Sequence, residues 1–196
     1  MSDIKSAFEI ANEKIKNLSA VTEEERMKWK YIPEGERLAA RYLEEDCNLL
    51  NEIKQYDKVS GQYVRAGASE ILIRYIMMPK DDLIIKRNKY VMEGIKDLKV
   101  NKIAVENVYS NIRRIFSHYT EQGEQQRKQA YESLKNEFET KMQQIAQQQL
   151  GIAMTGKINV ERQPQFQEEW RKLQNQIDSQ YLQLLNEYKK ELSGIL

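Results

Sequence analysis

The chain has 196 residues, enough for one domain or one domain with an extended appendage, and 40% of them are hydrophobic against 31% charged. A formal charge of +1 argues against a strongly basic polyanion-binding domain, and the single cysteine, Cys47, excludes an intramolecular disulfide or a multi-cysteine metal cluster. Only 8 glycines and 3 prolines are present, too few for the tight turns of a sheet protein this size, so the expected class is all-α with few, long helices.

Charge is unevenly spread. Residues 1–57 carry 13 acidic and 9 basic side chains, a balance of −4, whereas residues 80–114 carry 9 basic and 5 acidic, a balance of +4. Opposed signs of this kind suit mutual attraction inside one fold. The N-terminus alternates charged and apolar residues and lacks the apolar run of a signal peptide. No segment approaches the roughly 18 apolar residues of a membrane span. A cytoplasmic protein with no membrane partner is the expectation.

Taken in chain order, the first predicted helix covers about Asp3 to Leu18, with Ile4, Phe8, Ala11, Ile15 and Leu18 in one stripe. Thr22 and Glu25 stand at capping-box spacing and open a second helix. Pro33 is expected to end that helix near Tyr31, because proline disfavours α geometry in the preceding residue. A third helix is predicted from Glu34 to Asp57, with a break at Ser60-Gly61. A fourth covers 62–78 and ends at Pro79. Lys80 to Leu98 reads as a fifth helix, although Asp82-Leu83-Ile84-Ile85 in isolation could be a short strand. A sixth begins near Val100 or Asn101, and Gly123 inside it is either a kink or a close-packing point.

The last third is the most regular part of the chain. Apolar residues fall at Phe166, Trp170, Leu173, Ile177, Tyr181, Leu184, Tyr188, Leu192 and Ile195, so each position recurs eleven residues later. That repeat corresponds to about 3.67 residues per turn, close to the natural helix, and gives a nearly straight stripe. The pairs Tyr131/Met142 and Leu134/Ile145 repeat the offset on the preceding helix. Two glycines lie between the periodic segments, and Pro164 suits the first turn of a new helix. The prediction is a long antiparallel, coiled-coil-like hairpin with arms of roughly 26–29 residues, about 40 Å long. Sixteen glutamines between Gln122 and Gln183 alternate with this stripe and read as a solvated helix face. The organisation expected is a helical bundle over 1–119 and a hairpin arm over 120–196, the arm either folding down onto the bundle as a single domain or pairing with another chain.

The chemical motifs are weak. Gly151-Ile-Ala-Met-Thr-Gly156-Lys157 matches G-x-x-x-x-G-K, but Ile158 follows where a phosphate loop needs a magnesium-binding hydroxyl. It also joins two helices, where a phosphate loop joins a strand to a helix. His118 is the only histidine, which excludes a di-iron bundle of paired Glu-x-x-His motifs. Cys47 follows Glu44, Glu45 and Asp46, which would raise its thiol pKa and so weaken it as a nucleophile. Those acids together with Glu52 read as a solvated face. No cofactor, metal or catalytic set is expected.

Two interaction features remain. The stripe Phe166, Trp170, Leu173, Ile177, Tyr181, Leu184 and Tyr188 has more apolar surface than one partner helix is expected to cover, which points to a homo-oligomer or a protein partner. The basic residues Lys86, Arg87, Lys89, Arg113 and Arg114, with Tyr90 and Tyr109 nearby, could track a phosphate backbone. The leading expectation is a non-enzymatic interaction or scaffold protein; the alternative is a nucleic-acid-associated factor.

Overall fold

The computed structural model describes residues 22–45, 47–150 and 159–195. The chain is all-α. Among the described residues there are six α-helices, α1 (Glu23–Glu45), α2 (Leu49–Ile53), α3 (Lys58–Arg74), α4 (Asp82–Leu98), α5 (Lys102–Leu150) and α6 (Pro164–Gly194), with a 3₁₀ turn at Val160–Arg162 and no strand. The first predicted helix, over Asp3–Leu18, and the Gly151–Lys157 motif lie outside the described residues. The described residues fall in two compact units: one of residues 22–45, 47–75 and 90–100, the other of residues 76–89, 101–150 and 159–195.

In the first unit, the capping box at Thr22 forms as its spacing predicts. The Thr22 N–H donates to Glu25 Oε2 (2.9 Å), and the Glu25 N–H donates to Thr22 Oγ1 (3.2 Å). The break expected at Pro33 does not occur, and α1 runs through it. Tertiary packing overrides the local preference here. Around Pro33 the backbones of α1 and α3 come into direct contact. A Cβ on Gly35 would stand 2.1 Å from the Val64 carbonyl oxygen, and one on Gly67 would stand 2.2 Å from the Ile32 carbonyl oxygen. Leu38, Ala39 and Tyr42 continue the buried face of α1 beyond the proline.

The predicted helix over 34–57 is broken twice. Asn48 accepts from the Asn51 N–H (3.0 Å) and starts the short α2. Asp57 then caps α3, accepting from the N–H groups of Val59 (2.8 Å) and Ser60 (2.9 Å). The break expected at Ser60-Gly61 is thus displaced upstream, and both residues are buried inside α3. At the other end of this unit, Arg65 donates to the Leu98 carbonyl oxygen (3.2 Å) in the last turn of α4, where backbone acceptors lack helical partners. Tyr42 and Tyr90 form a reciprocal lock: their rings stack at 4.2 Å, and each hydroxyl donates to the other's carbonyl oxygen, at 3.0 and 2.8 Å.

In the second unit, Ile76 and Met78 are buried in a segment without regular secondary structure, not in the helix predicted over 62–78. The buried Asn88 holds this segment, donating to the Met77 carbonyl oxygen (2.6 Å) and accepting from its N–H (3.0 Å). Residues 82–85 are helical, which disposes of the strand alternative; Asp81 caps them by accepting from the Ile84 N–H (2.8 Å). Asn101 caps α5 in the same way through the Ala104 N–H (3.1 Å).

Helix α5 has 49 residues and α6 has 31, or about 73 and 46 Å at 1.5 Å per residue. They form the predicted antiparallel hairpin, and its first arm is longer than expected because α5 passes Gly123 without interruption. That glycine is a close-packing point: a Cβ there would lie 3.2 Å from the Tyr181 hydroxyl oxygen. Pro164 occupies the first turn of α6.

Candidate functional site

Three zones follow one another along the hairpin. At its turn end, Leu134, Val160 and Phe166 form a buried cluster flanked by Tyr131, Phe138, Met142, Trp170 and Leu173. The aromatic rings meet edge to face: Tyr131 with Phe166 at 5.6 Å, Tyr131 with Trp170 at 5.1 Å, and Phe138 with Phe166 at 5.4 Å. Lys135 pairs with Glu161 (2.8 Å) beside this cluster, and the lysine, followed by the Tyr131 hydroxyl, holds the Glu161 carboxyl below the usual carboxylate range.

Midway along, Asp178 gathers polar partners. Its carboxylate lies 3.4 Å from Arg127 Nη1 and 3.4 Å from Lys80 Nζ, and accepts from the Tyr119 hydroxyl at 3.4 Å. The Arg127 guanidinium also lies over the Tyr119 ring at 4.3 Å. Burial, followed by the charge of Asp178, raises the Tyr119 hydroxyl pKa.

Beyond Asp178 the hairpin opens into a groove of about 430 Å³. One wall is Asn111, Arg114, Ile115 and His118 of α5, a single helix face at spacings of three, one and three. The other is Gln180, Tyr181, Leu184 and Tyr188 of α6. His118 Nδ1 and the Tyr181 hydroxyl oxygen, 2.9 Å apart, bridge the walls. Ile115 is buried, whereas Arg114 is exposed and Leu184 is 43% exposed. The arrangement offers an apolar strip flanked by one guanidinium, amide groups and tyrosine hydroxyls, and suits binding.

The sequence-predicted stripe divides across these zones. Phe166 and Tyr181 are buried. Trp170, Leu173, Ile177 and Tyr188 are half-buried, and Leu184 is exposed. The inward position belongs to Leu185, at 1% exposure. Going from Tyr181, a step of three residues falls about 60° behind and a step of four about 40° ahead around the helix. The buried side has moved ahead by this level, so the strict eleven-residue repeat selects the wrong leucine. The other arm behaves alike: Leu134 is buried, but Ile145, eleven residues on, is 46% exposed, and the neighbouring Ala146 is buried.

Of the predicted basic residues, Lys86, Arg87, Lys89, Arg113 and Arg114 are all exposed. Arg113 is engaged by Glu106 (2.6 Å), and Arg114 lines the groove. Sequence reasoning named Arg114 and Tyr181, Leu184 and Tyr188 separately but missed their meeting, and it missed Asn111 and Gln180 altogether. The signal was present in the spacing of Asn111, Arg114, Ile115 and His118, but it has meaning only once the hairpin register is known.

Cys47 is half-buried, and burial is the main cause of its raised thiol pKa, with Arg41 opposing and Glu52 reinforcing. Glu52 is paired with Arg41 (2.8 Å). No group of three or more possible metal ligands occurs among the described residues, and no described helix is long and apolar enough to cross a membrane.

The fold and groove define an all-α hairpin protein with an amphipathic cleft. The chain belongs to a family of unknown function, DUF6657, whose model matches residues 50–194, covering α3 to α6. No match was found among curated proteins or among solved structures.

Proposed function

We propose that this is a non-enzymatic, cytoplasmic interaction protein that binds a protein partner through the α5–α6 hairpin. The observation that carries this reading is the groove, where Leu184 is 43% exposed beside Ile115, Tyr188 and Arg114. Most of the stripe is consumed in joining α5 to α6, and this part of it remains available. An amphipathic strip between two helices is a surface on which a third helix packs.

A photo-crosslinking residue placed at Leu184 in the full chain tests the reading. Discrete adducts are expected from Leu184 and not from Lys128, an exposed position on α5 outside the groove. Equal labelling at both positions would defeat it. Light scattering distinguishes a homo-oligomer, since the mass would then be a multiple of 23.2 kDa.

Nucleic-acid association is the second reading, favoured by the exposure of Lys86, Arg87 and Lys89. It predicts nuclease-sensitive 260 nm absorbance and binding that falls steeply with salt. Binding unchanged on neutralising the three residues together would remove it.

A further inference from the structure

We propose that the α5–α6 groove receives an acidic amphipathic helix of a partner protein, its apolar face on Ile115, Leu184 and Tyr188 and its carboxylates against Arg114. This inference rests on the interaction reading above and adds the chemistry of the occupant. Three observations carry it.

The first is charge. Arg114 is the one group lining the groove that is charged whatever its surroundings, and it is exposed at the edge of an apolar strip. A carboxylate placed there gains a guanidinium partner in partly desolvated surroundings, whereas a lysine-bearing occupant would bury a like charge. The second is the lining. Asn111 and Gln180 can each donate and accept, and Tyr188 brings a hydroxyl, so a polar edge flanks the strip on both walls. The third is shape. Both walls are helix faces, with Asn111, Arg114, Ile115 and His118 repeating at helical spacing. Such a trough matches side chains presented at i, i+3, i+4 and i+7 by a docked helix. A polyphosphate backbone needs a track of cations, and this lining supplies one arginine.

A display library of helical peptides tests the proposal on the full-length protein. Positions i, i+3, i+4 and i+7 are drawn from Leu, Ile, Phe, Met and Ala, and the flanking positions from Glu, Lys and Gln in equal amounts. Selected binders are expected to favour Glu over Lys at the flanks. Their affinity should fall by roughly tenfold or more in Arg114→Glu, the order of loss on reversing a partly desolvated charge, and that variant should select lysine-bearing peptides instead. Both Arg114 and Leu184 are exposed, so circular dichroism should confirm that Arg114→Glu and Leu184→Asp remain folded.

Binders with balanced Glu and Lys, or binders indifferent to Arg114→Glu, overturn the acidic occupant. If those binders are still lost in Leu184→Asp, the groove stands as an interaction surface for another partner. Failure to select any binder, or binders insensitive to Leu184→Asp, overturns the acidic occupant, and the absence of Leu184 crosslinks in addition defeats the interaction reading itself.

Discussion

The unit formed by residues 22–75 and 90–100 and the α5–α6 hairpin reach stability by opposite means. In the first, α1 and α3 touch backbone to backbone at Gly35 and Gly67, where an added Cβ would come within 2.1 and 2.2 Å of a carbonyl oxygen. In the hairpin, the helices are held together through side chains: edge-to-face rings at the turn end, an aspartate hub midway, and a histidine–tyrosine bridge beyond it. Backbone contact leaves no room for a side chain at Gly35 or Gly67. Side-chain contact keeps the helices farther apart, and where the packing thins it leaves a groove. The contrast places the tightest steric constraint in the glycine-bearing helices and the open groove in the hairpin.

The strongest way to break that comparison is Gly67→Ala. With backbone as the obstacle, no rotamer change relieves the clash, so α1 and α3 must separate; the expected loss is about 3 kcal/mol or more. Urea unfolding followed by circular dichroism measures it. A variant within 1 kcal/mol of the parent, roughly the size of an ordinary surface change, would show the contact to be compliant. Phe166→Ala is the counterpart in the hairpin. Removing a ring that is 2% exposed and touches Tyr131 and Phe138 should cost about 3–5 kcal/mol. Hydrogen exchange should rise most in residues 131–142 and 164–173. Faster exchange confined to α1 and α3 would contradict the assignment of Phe166 to the turn-end cluster.

These two residues also show what could be read in advance. Phe166 stood in a periodic stripe, and both the hairpin and the Pro164 start were legible, because a helix burying one face repeats its apolar residues at helical spacing. The Thr22–Glu25 cap was legible for a similar reason, since both partners lie within one turn. Gly67 carried no such signal. Its role depends on Ile32, which is far away in sequence, and the same contact explains why Pro33 failed to end α1. The groove was hidden by the same kind of distance. Arg114 and Leu184 belonged to two separate patterns, and choosing between Leu184 and Leu185 required the rotation of α6 against α5.

Smaller effects sharpen the contrast within the first unit. Tyr42→Phe keeps the stacked ring and deletes one of the two reciprocal hydrogen bonds. Because the Tyr90 carbonyl also lies inside a helix, the loss should be about 1 kcal/mol. If the urea midpoint moves as far as it does for Gly67→Ala, the hydroxyl, and not the stack, carries the lock.

The smallest expected effect belongs to Asp57, and its value lies in its pH dependence. Hydrogen bonds from the Ser60 hydroxyl and from the N–H groups of Ser60 and Val59 hold this carboxyl below its usual value of 3.8. A carboxyl depressed by folding stabilises the native state above its unfolded pKa, and that contribution is lost as pH falls through the folded one. Asp57→Ala should therefore be less stable than the parent near neutral pH, with the difference shrinking below about pH 4. Urea midpoints of the two proteins across that range make the comparison. A constant difference down to about pH 2 would mean that the cap works through its shape and not its charge. Asp57→Asn separates those contributions, because the amide oxygen can still accept from Val59 and Ser60 while carrying no charge. It should match the parent at low pH and fall below it as the parent carboxyl ionises.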